Sequence, residues 1–192
     1  MTTLIASRSA RLSDVEFLAA VEAGVFGDRR VFLWGGRLYE KMAKTKAHAF
    51  VSFRIAKAVS AVLPPGWDVW HESPVRLDRK NVPLPDLAVL RGPDDRYRDE
   101  RPQAEDVGLI VEVAVTSLAK DLGPQAAKYA GAGVFCYWVA DARNRRVIEH
   151  RGPRVEEGVA SYEVVRDLGL GDHIDVVLDG APVGRIAVSD LF

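Results

Sequence analysis

Residues 109–115, Leu109-Ile110-Val111-Glu112-Val113-Ala114-Val115, form a short apolar run rich in β-branched side chains, interrupted by one carboxylate. A run of this length without period-2 polarity reads as a strand buried on both faces. An unpaired ionised carboxylate in that position is strongly unfavourable or titrates far above its usual range. Glu112 therefore calls for a partner, and a divalent cation is among the strongest. A second acid, Asp86, opens another apolar stretch, Leu84-Pro85-Asp86-Leu87-Ala88-Val89-Leu90. Two acids on neighbouring central strands make a candidate metal site. The competing readings are an ion pair with arginine or lysine for Glu112 and a strand-end cap for Asp86.

The elements around these strands alternate. Ser13 and Glu16 make a capping box ahead of a short helix that Gly24 ends. Arg30 to Trp34 and Arg37 to Met42 read as strands joined by the turn Gly35-Gly36. Thr45 starts a long helix whose apolar stripe is Ala47, Phe50, Val51, Ile55, Ala58, Val59, Val62 and Leu63, stopped by Pro64-Pro65-Gly66. Strands are expected over residues 67–77, 84–90 and 107–116, with a polar loop at 91–106. A helix over 124–130 follows, with Pro124 in its first turn and Gly131 or Gly133 at its end. Strands at 134–140 and 146–150 and short β segments near 162–165, 174–177 and 186–188 complete the chain.

The chain has 192 residues, 48% hydrophobic and 28% charged, which fits one mixed domain over 1–192 with a helical extension at 1–28. No stretch approaches the roughly 18 apolar residues of a membrane span, and Met1 to Arg11 lacks the build of a secretory signal. One cysteine, Cys136, excludes an internal disulfide framework and a multi-cysteine zinc site. A cytoplasmic protein with no membrane partner is expected. The formal net charge of −1 gives no global pull on nucleic acid. Locally, Arg29, Arg30, Arg37, Lys41, Lys44, Lys46, Arg54 and Lys57 face a single acid, Glu40, and Arg143, Arg145 and Arg146 cluster separately. These are either solvated faces or a phosphate-facing surface.

The order helix, strand, strand with Asp86, strand with Glu112, helix, strand resembles the PD-(D/E)XK nuclease superfamily. More specifically, the chain resembles the Uma-two family of restriction-endonuclease-like proteins. The matching pieces are residues 36–42 with His48, Pro85-Asp86-Leu87-Ala88-Val89, Val111-Glu112-Val113, Thr116-Ser117-Leu118, Asp121, Tyr129, Gly133-Val134, Tyr137-Trp138 and Asp141. The resemblance runs from about residue 30 to the end. It implies an α/β (α+β) fold with a restriction-endonuclease-like PD-(D/E)XK core. In that core a central mixed β-sheet is flanked by helices, and additional β-strands are attached.

It also implies a Mg²⁺-dependent endonuclease hydrolysing DNA, with Mn²⁺ as a substitute ion. Asp86, Glu112 and the Val113 carbonyl would hold the metal. The superfamily's lysine would fall at Ala114, and the family's at Gln125, so Gln125 or Lys128 would stand in. Supporting roles fall to Glu40, His48, Asp121 and Tyr129, with Asp121, Gln125 and Tyr129 on one helical face at i, i+4 spacing. DNA is the expected partner, and cutting both strands suggests a homodimer. The other reading is a catalytically silent member that binds nucleic acid or a protein partner.

Overall fold

The computed structural model describes residues 10–192. Residues 1–9, with that part of the expected extension and of the segment read as no secretory signal, lie outside the described residues. Helix α1 (Asp14–Glu22) opens on the expected capping box: the Glu16 N–H donates to Ser13 Oγ, and the Ser13 N–H donates to the Glu16 carboxylate at 2.8 Å. Strands β1 (Val31–Trp34) and β2 (Arg37–Glu40) pair antiparallel as a separate ribbon. Gly35 and Gly36 between them take φ of +59° and +75°, consecutive positive values that a tight hairpin turn requires and glycine supplies without strain. Thr45 caps α2 (Lys46–Ser60) by accepting from the His48 N–H at 3.2 Å.

The principal sheet has six strands in the order β3 (Trp67–His71), β4 (Leu87–Arg91), β5 (Val107–Ala114), β6 (Cys136–Asp141), β7 (Arg146–Glu156) and β8 (Val159–Leu168). Strands β5 and β6 run parallel and every other neighbouring pair is antiparallel, so the sheet is mixed as expected. A parallel pair needs a crossover. Here it is α3 (Leu118–Lys120), a π turn (Asp121–Gln125) and α4 (Ala126–Gly131). Strands β9 (His173–Leu178) and β10 (Ala181–Ala187) form a further two-stranded sheet.

Every residue of β5 is buried, which the uninterrupted apolar run demanded. One face of the sheet packs Val111, Val113 and Trp138 against Val51, Ile55 and Val59 of α2 and against Ile174 and Val176 of β9. The other face packs Ile110, Ala114, Tyr137 and Val139 against Ala126, Tyr129 and Ala130 of the crossover. A small third cluster, Phe17, Leu33 and Val82, ties α1 to the hairpin. Gly108 is required by close approach, since a Cβ there would lie 2.5 Å from the Leu178 side chain and 2.7 Å from the Trp67 ring.

Several expectations are corrected. Phe50, read as part of the core stripe of α2, is 54% exposed, and Ala47 is exposed too. The covered stripe is Val51, Ser52, Ile55, Ala56 and Val59, because the sheet touches one side of the helix and leaves Phe50 and Phe53 outward. Pro124 lies inside the π turn rather than starting a helix. The strand expected over 67–77 ends at His71, where Glu72 takes φ of +45°. Strands β7 and β8 are longer than the apolar segments that signalled them, extended by paired polar residues. Among the described residues no helix is long and apolar enough to cross a membrane.

Candidate functional site

Strand register brings the two acids together. Leu87 faces Val111 across the β4–β5 ladder, and Ala88 faces Ile110. Continuing that register by one residue sets Asp86 opposite Glu112. Both carboxylates are nearly closed to solvent, at 2% and 6% exposure. Like charges placed directly across strands destabilise the pair, so each must be compensated.

One oxygen of each acid is pinned by the protein. Asp86 Oδ2 accepts from the Val113 N–H at 2.8 Å and lies 2.9 Å from His48 Nε2 at the start of α2. The His48 ring is steadied in turn by Ser52 Oγ, 3.4 Å from Nδ1. Glu112 Oε1 accepts from Gln125 Nε2 at 2.6 Å and from the Tyr129 hydroxyl at 3.0 Å. The remaining oxygens converge on one cation, the ammonium of Lys41: Nζ lies 2.6 Å from Asp86 Oδ1 and 3.8 Å from Glu112 Oε2, and donates to the Leu84 carbonyl at 2.7 Å.

The electrostatics follow from this division. Burial works against ionising Asp86, but the His48 bond and the Lys41 charge outweigh it and hold the carboxyl well below the usual carboxylate range. Glu112 behaves oppositely. Burial pushes it up to about 8 against the pull of Lys41, and the charges of Asp86 and Asp121 add to the rise. For Lys41, burial opposes the charge while Glu112 and Asp86 favour it more strongly, so its pKa rises and the ammonium persists. Burial, with the Glu112 charge beside it, raises the Tyr129 hydroxyl far above its ordinary value, which keeps it a donor.

A cleft of about 310 Å³ opens beside the acids. Phe32, Trp34 and Tyr39 of the hairpin line it together with Lys44, Lys120 and Asp121. Glu40 and Val113 also line it; the Val113 N–H is committed to Asp86. Asp121 is buried, and its Oδ2 accepts from Ser117 Oγ at 2.5 Å. Burial raises the Asp121 carboxyl above its usual value despite that bond. The π turn breaks the expected α spacing after Asp121: Gln125 and Tyr129 meet on Glu112, whereas Asp121 bonds to Ser117 instead.

Lys128 is placed elsewhere, with Nζ 5.6 Å from the Trp34 ring centre and outside the cleft lining. The cation brought to the acid pair is Lys41, which sequence reasoning had noted only within a basic cluster and a matching segment. A usable signal was strand alternation, which puts Arg37, Tyr39 and Lys41 on one side of the hairpin. The basic cluster itself is partly consumed internally. Arg30 makes a two-oxygen contact with Glu72 at 2.8 Å, Lys44 lies 3.5 Å from the same carboxylate, and Arg146 is held by Asp141 and Asp167.

The two carboxylate oxygens left unpinned are hard donors, of the kind that a divalent cation takes, and both are directed at the Lys41 ammonium. Among the described residues no cluster of three or more His, Cys, Asp or Glu side chains is arranged around a common point. An ion there would have few protein ligands and complete its shell with water and substrate, which is the habit of Mg²⁺.

The mixed sheet, its flanking helices and the crossover after β5 define a protein of restriction-endonuclease-like fold. The chain belongs to the Uma2 family, described as "Putative restriction endonuclease", whose model matches residues 16–179. It is similar to a solved protein from Anabaena variabilis ATCC 29413, a "putative nuclease belonging to DUF820", with 13% identity and a TM-score of 0.65. The match covers 94% of this chain and 97% of that one, and at this identity it speaks for the fold. No curated protein matches the chain.

Proposed function

We propose that the protein is a Mg²⁺-dependent endonuclease that hydrolyses DNA phosphodiester bonds. The observation that carries this reading is the convergence of Asp86 Oδ1 and Glu112 Oε2 on one cationic position while their other oxygens are pinned. Asp86 and Glu112, with the Val113 carbonyl, would hold Mg²⁺ or Mn²⁺. When bound, the ion would neutralise charge on the phosphate and acidify the attacking water. His48 and the Val113 N–H orient Asp86, and Gln125 and Tyr129 orient Glu112. Lys41 supplies the positive charge expected of a lysine near the scissile phosphate, where a fixed cation stabilises developing negative charge. Glu40 at the rim would act through water. DNA, with a second copy of the chain for cutting both strands, are the partners implied.

Plasmid nicking tests the assignment. Wild type should nick in Mg²⁺, and Asp86→Asn or Lys41→Met should lower the rate roughly 100-fold or more. Equal nicking by all three proteins would remove it. One observation favours the second reading, a catalytically silent nucleic-acid or protein binder: the 2.6 Å Lys41–Asp86 ion pair already occupies the position. Calorimetry separates the two. Mn²⁺ binding lost in Glu112→Gln supports the enzyme, whereas salt-sensitive DNA binding that ignores metal supports the binder.

A further inference from the structure

The hairpin that delivers Lys41 also builds an aromatic wall. Strand alternation turns Leu33 into the small cluster with Phe17 and Val82, and puts Phe32 and Trp34 on the cleft side. Phe32 and Tyr39 are cross-strand partners whose rings stack at 5.5 Å and 22°. Tyr39 remains 44% exposed although it lines the cleft. Trp34 packs edge-on against Tyr129, 6.2 Å away, which ties the wall to the residue that holds Glu112. Lys120 Nζ stands 5.6 Å from the Phe32 ring centre, and among the described residues neither Lys120 nor Arg37, the cross-strand partner of Trp34, joins an ion pair.

We propose that this wall binds the base of an unpaired nucleotide, so that the cleft takes single-stranded or locally unpaired DNA in preference to continuous duplex. The inference rests on the nuclease-site reading and names its substrate class. Three features carry it. The cleft, at about 310 Å³, has the size of a small-molecule site and accommodates one nucleotide rather than a double helix. The planar face on offer, that of the exposed Tyr39 backed by Phe32, is of use to a base only once that base leaves its stack, because a duplex presents edges and backbone to a protein. The acid pair lies buried beneath the hairpin, so a phosphate reaches Asp86 and Glu112 only on a strand that can bend inward. Lys120 and Arg37 supply charges complementary to that strand's phosphates.

Fluorescence anisotropy in EDTA tests this without cleavage. The probes are a labelled oligo-dT strand, a blunt duplex of equal length and free dTMP as competitor. The single strand should bind at least 10-fold more tightly than the duplex. Tyr39→Ala should weaken strand binding roughly 5- to 100-fold, while Tyr39→Phe retains it. Both variants should melt like wild type, since Tyr39 is on an exposed ribbon. Equal or tighter duplex binding overturns the proposal, as does an unchanged affinity in Tyr39→Ala. Competition by dTMP as strong as by the strand also overturns it, in favour of a mononucleotide site. The outcomes separate from those of the nuclease assay. Nicking without a single-strand preference sinks this inference alone, and a single-strand preference with no Mg²⁺-dependent cleavage of either plasmid or single strand sinks the catalytic reading alone.

Discussion

Two groups of buried carboxylates occupy the same sheet in opposite circumstances. Glu149 on β7 is wholly buried, and its cross-strand partner is Arg166. Arg166 Nε donates to Glu149 Oε2 at 2.6 Å, and Arg151 Nε stands 3.3 Å from Oε1. Two guanidiniums serve one acid. At the other centre one ammonium serves two acids, Asp86 and Glu112, and a cleft opens beside them. Burial of an acid is thus no mark of function by itself. The mark is an excess of carboxylates over cations, held in place by hydrogen bonds, with oxygens left directed at a common point. Such an arrangement is unfavourable for stability, and groups perturbed in this way are concentrated where proteins bind or react.

Exchanging each glutamate for its amide should expose that contrast most strongly. Glu112→Gln should lower Mg²⁺-dependent nicking roughly 100-fold or more, while Glu149→Gln should leave it within about twofold, because Glu149 touches nothing at the cleft. Stability should follow the reverse order. Glu149→Gln should reduce the unfolding free energy in urea by about 1–3 kcal/mol, since both guanidiniums lose a charged acceptor yet can turn partly to water. Glu112→Gln should leave stability unchanged or raise it, because burial already opposes the charged form of this carboxyl and an amide carries no charge. Parallel losses in both assays would collapse the distinction.

The donors that pin each acid provide a sharper comparison. Gln125→Met removes one of two donors to Glu112 Oε1. Loss of such an orienting bond should weaken Mn²⁺ binding roughly 10- to 100-fold. Asn144→Ala removes the side-chain donor to Asp141, an acid outside the cleft lining, and should leave Mn²⁺ affinity as it was. Calorimetric titration of both variants decides whether the Glu112 shell is tuned for an ion or is ordinary side-chain satisfaction.

The parts of this contrast that the sequence disclosed are those encoded locally. An acid inside a β-branched run, the Ser13–Glu16 cap and the Gly35-Gly36 turn each declare themselves within a few residues. The pairing of Asp86 with Glu112 was also within reach, through element order and family resemblance. Lys41 was not, because its role requires the hairpin to fold back over the end of β4, bringing together residues 45 apart in sequence. Gln125, where the family resemblance puts a lysine, does reach Glu112, whereas Lys128, three residues further on, is turned to Trp34. The exposed Phe50 misled for the same reason: periodicity identifies a helix, but which side of it meets the sheet depends on distant packing. Glu149 stayed unnoticed because Val147-Ile148-Glu149-His150 reads as a half-polar strand, and its guanidiniums come from two different strand positions.

His150, next to Glu149 but on the opposite face, supplies a third arrangement: a buried polar ring with one nitrogen left unpaired. Its ring lies among Tyr137 and Tyr162 at 5.4 and 5.5 Å, and Nδ1 has no hydrogen-bond partner in the protein. Burial lowers its pKa, with backbone contacts to Tyr137 and Ile148 opposing only in part. The unfolded chain therefore takes up the proton first as pH falls through roughly 6.5, and stability should decline on acidification across that window. His150→Phe keeps an aromatic ring in the cluster and removes the titration. Between pH 7.5 and 5.5 its Tm should fall less than that of wild type, by the smallest margin of these tests. At pH 7.5 the variant should be at least as stable, because an unsatisfied ring nitrogen has gone. Identical slopes would mean that the imidazole finds water when protonated, and that this face of the sheet tolerates charge as readily as the face that holds Glu149.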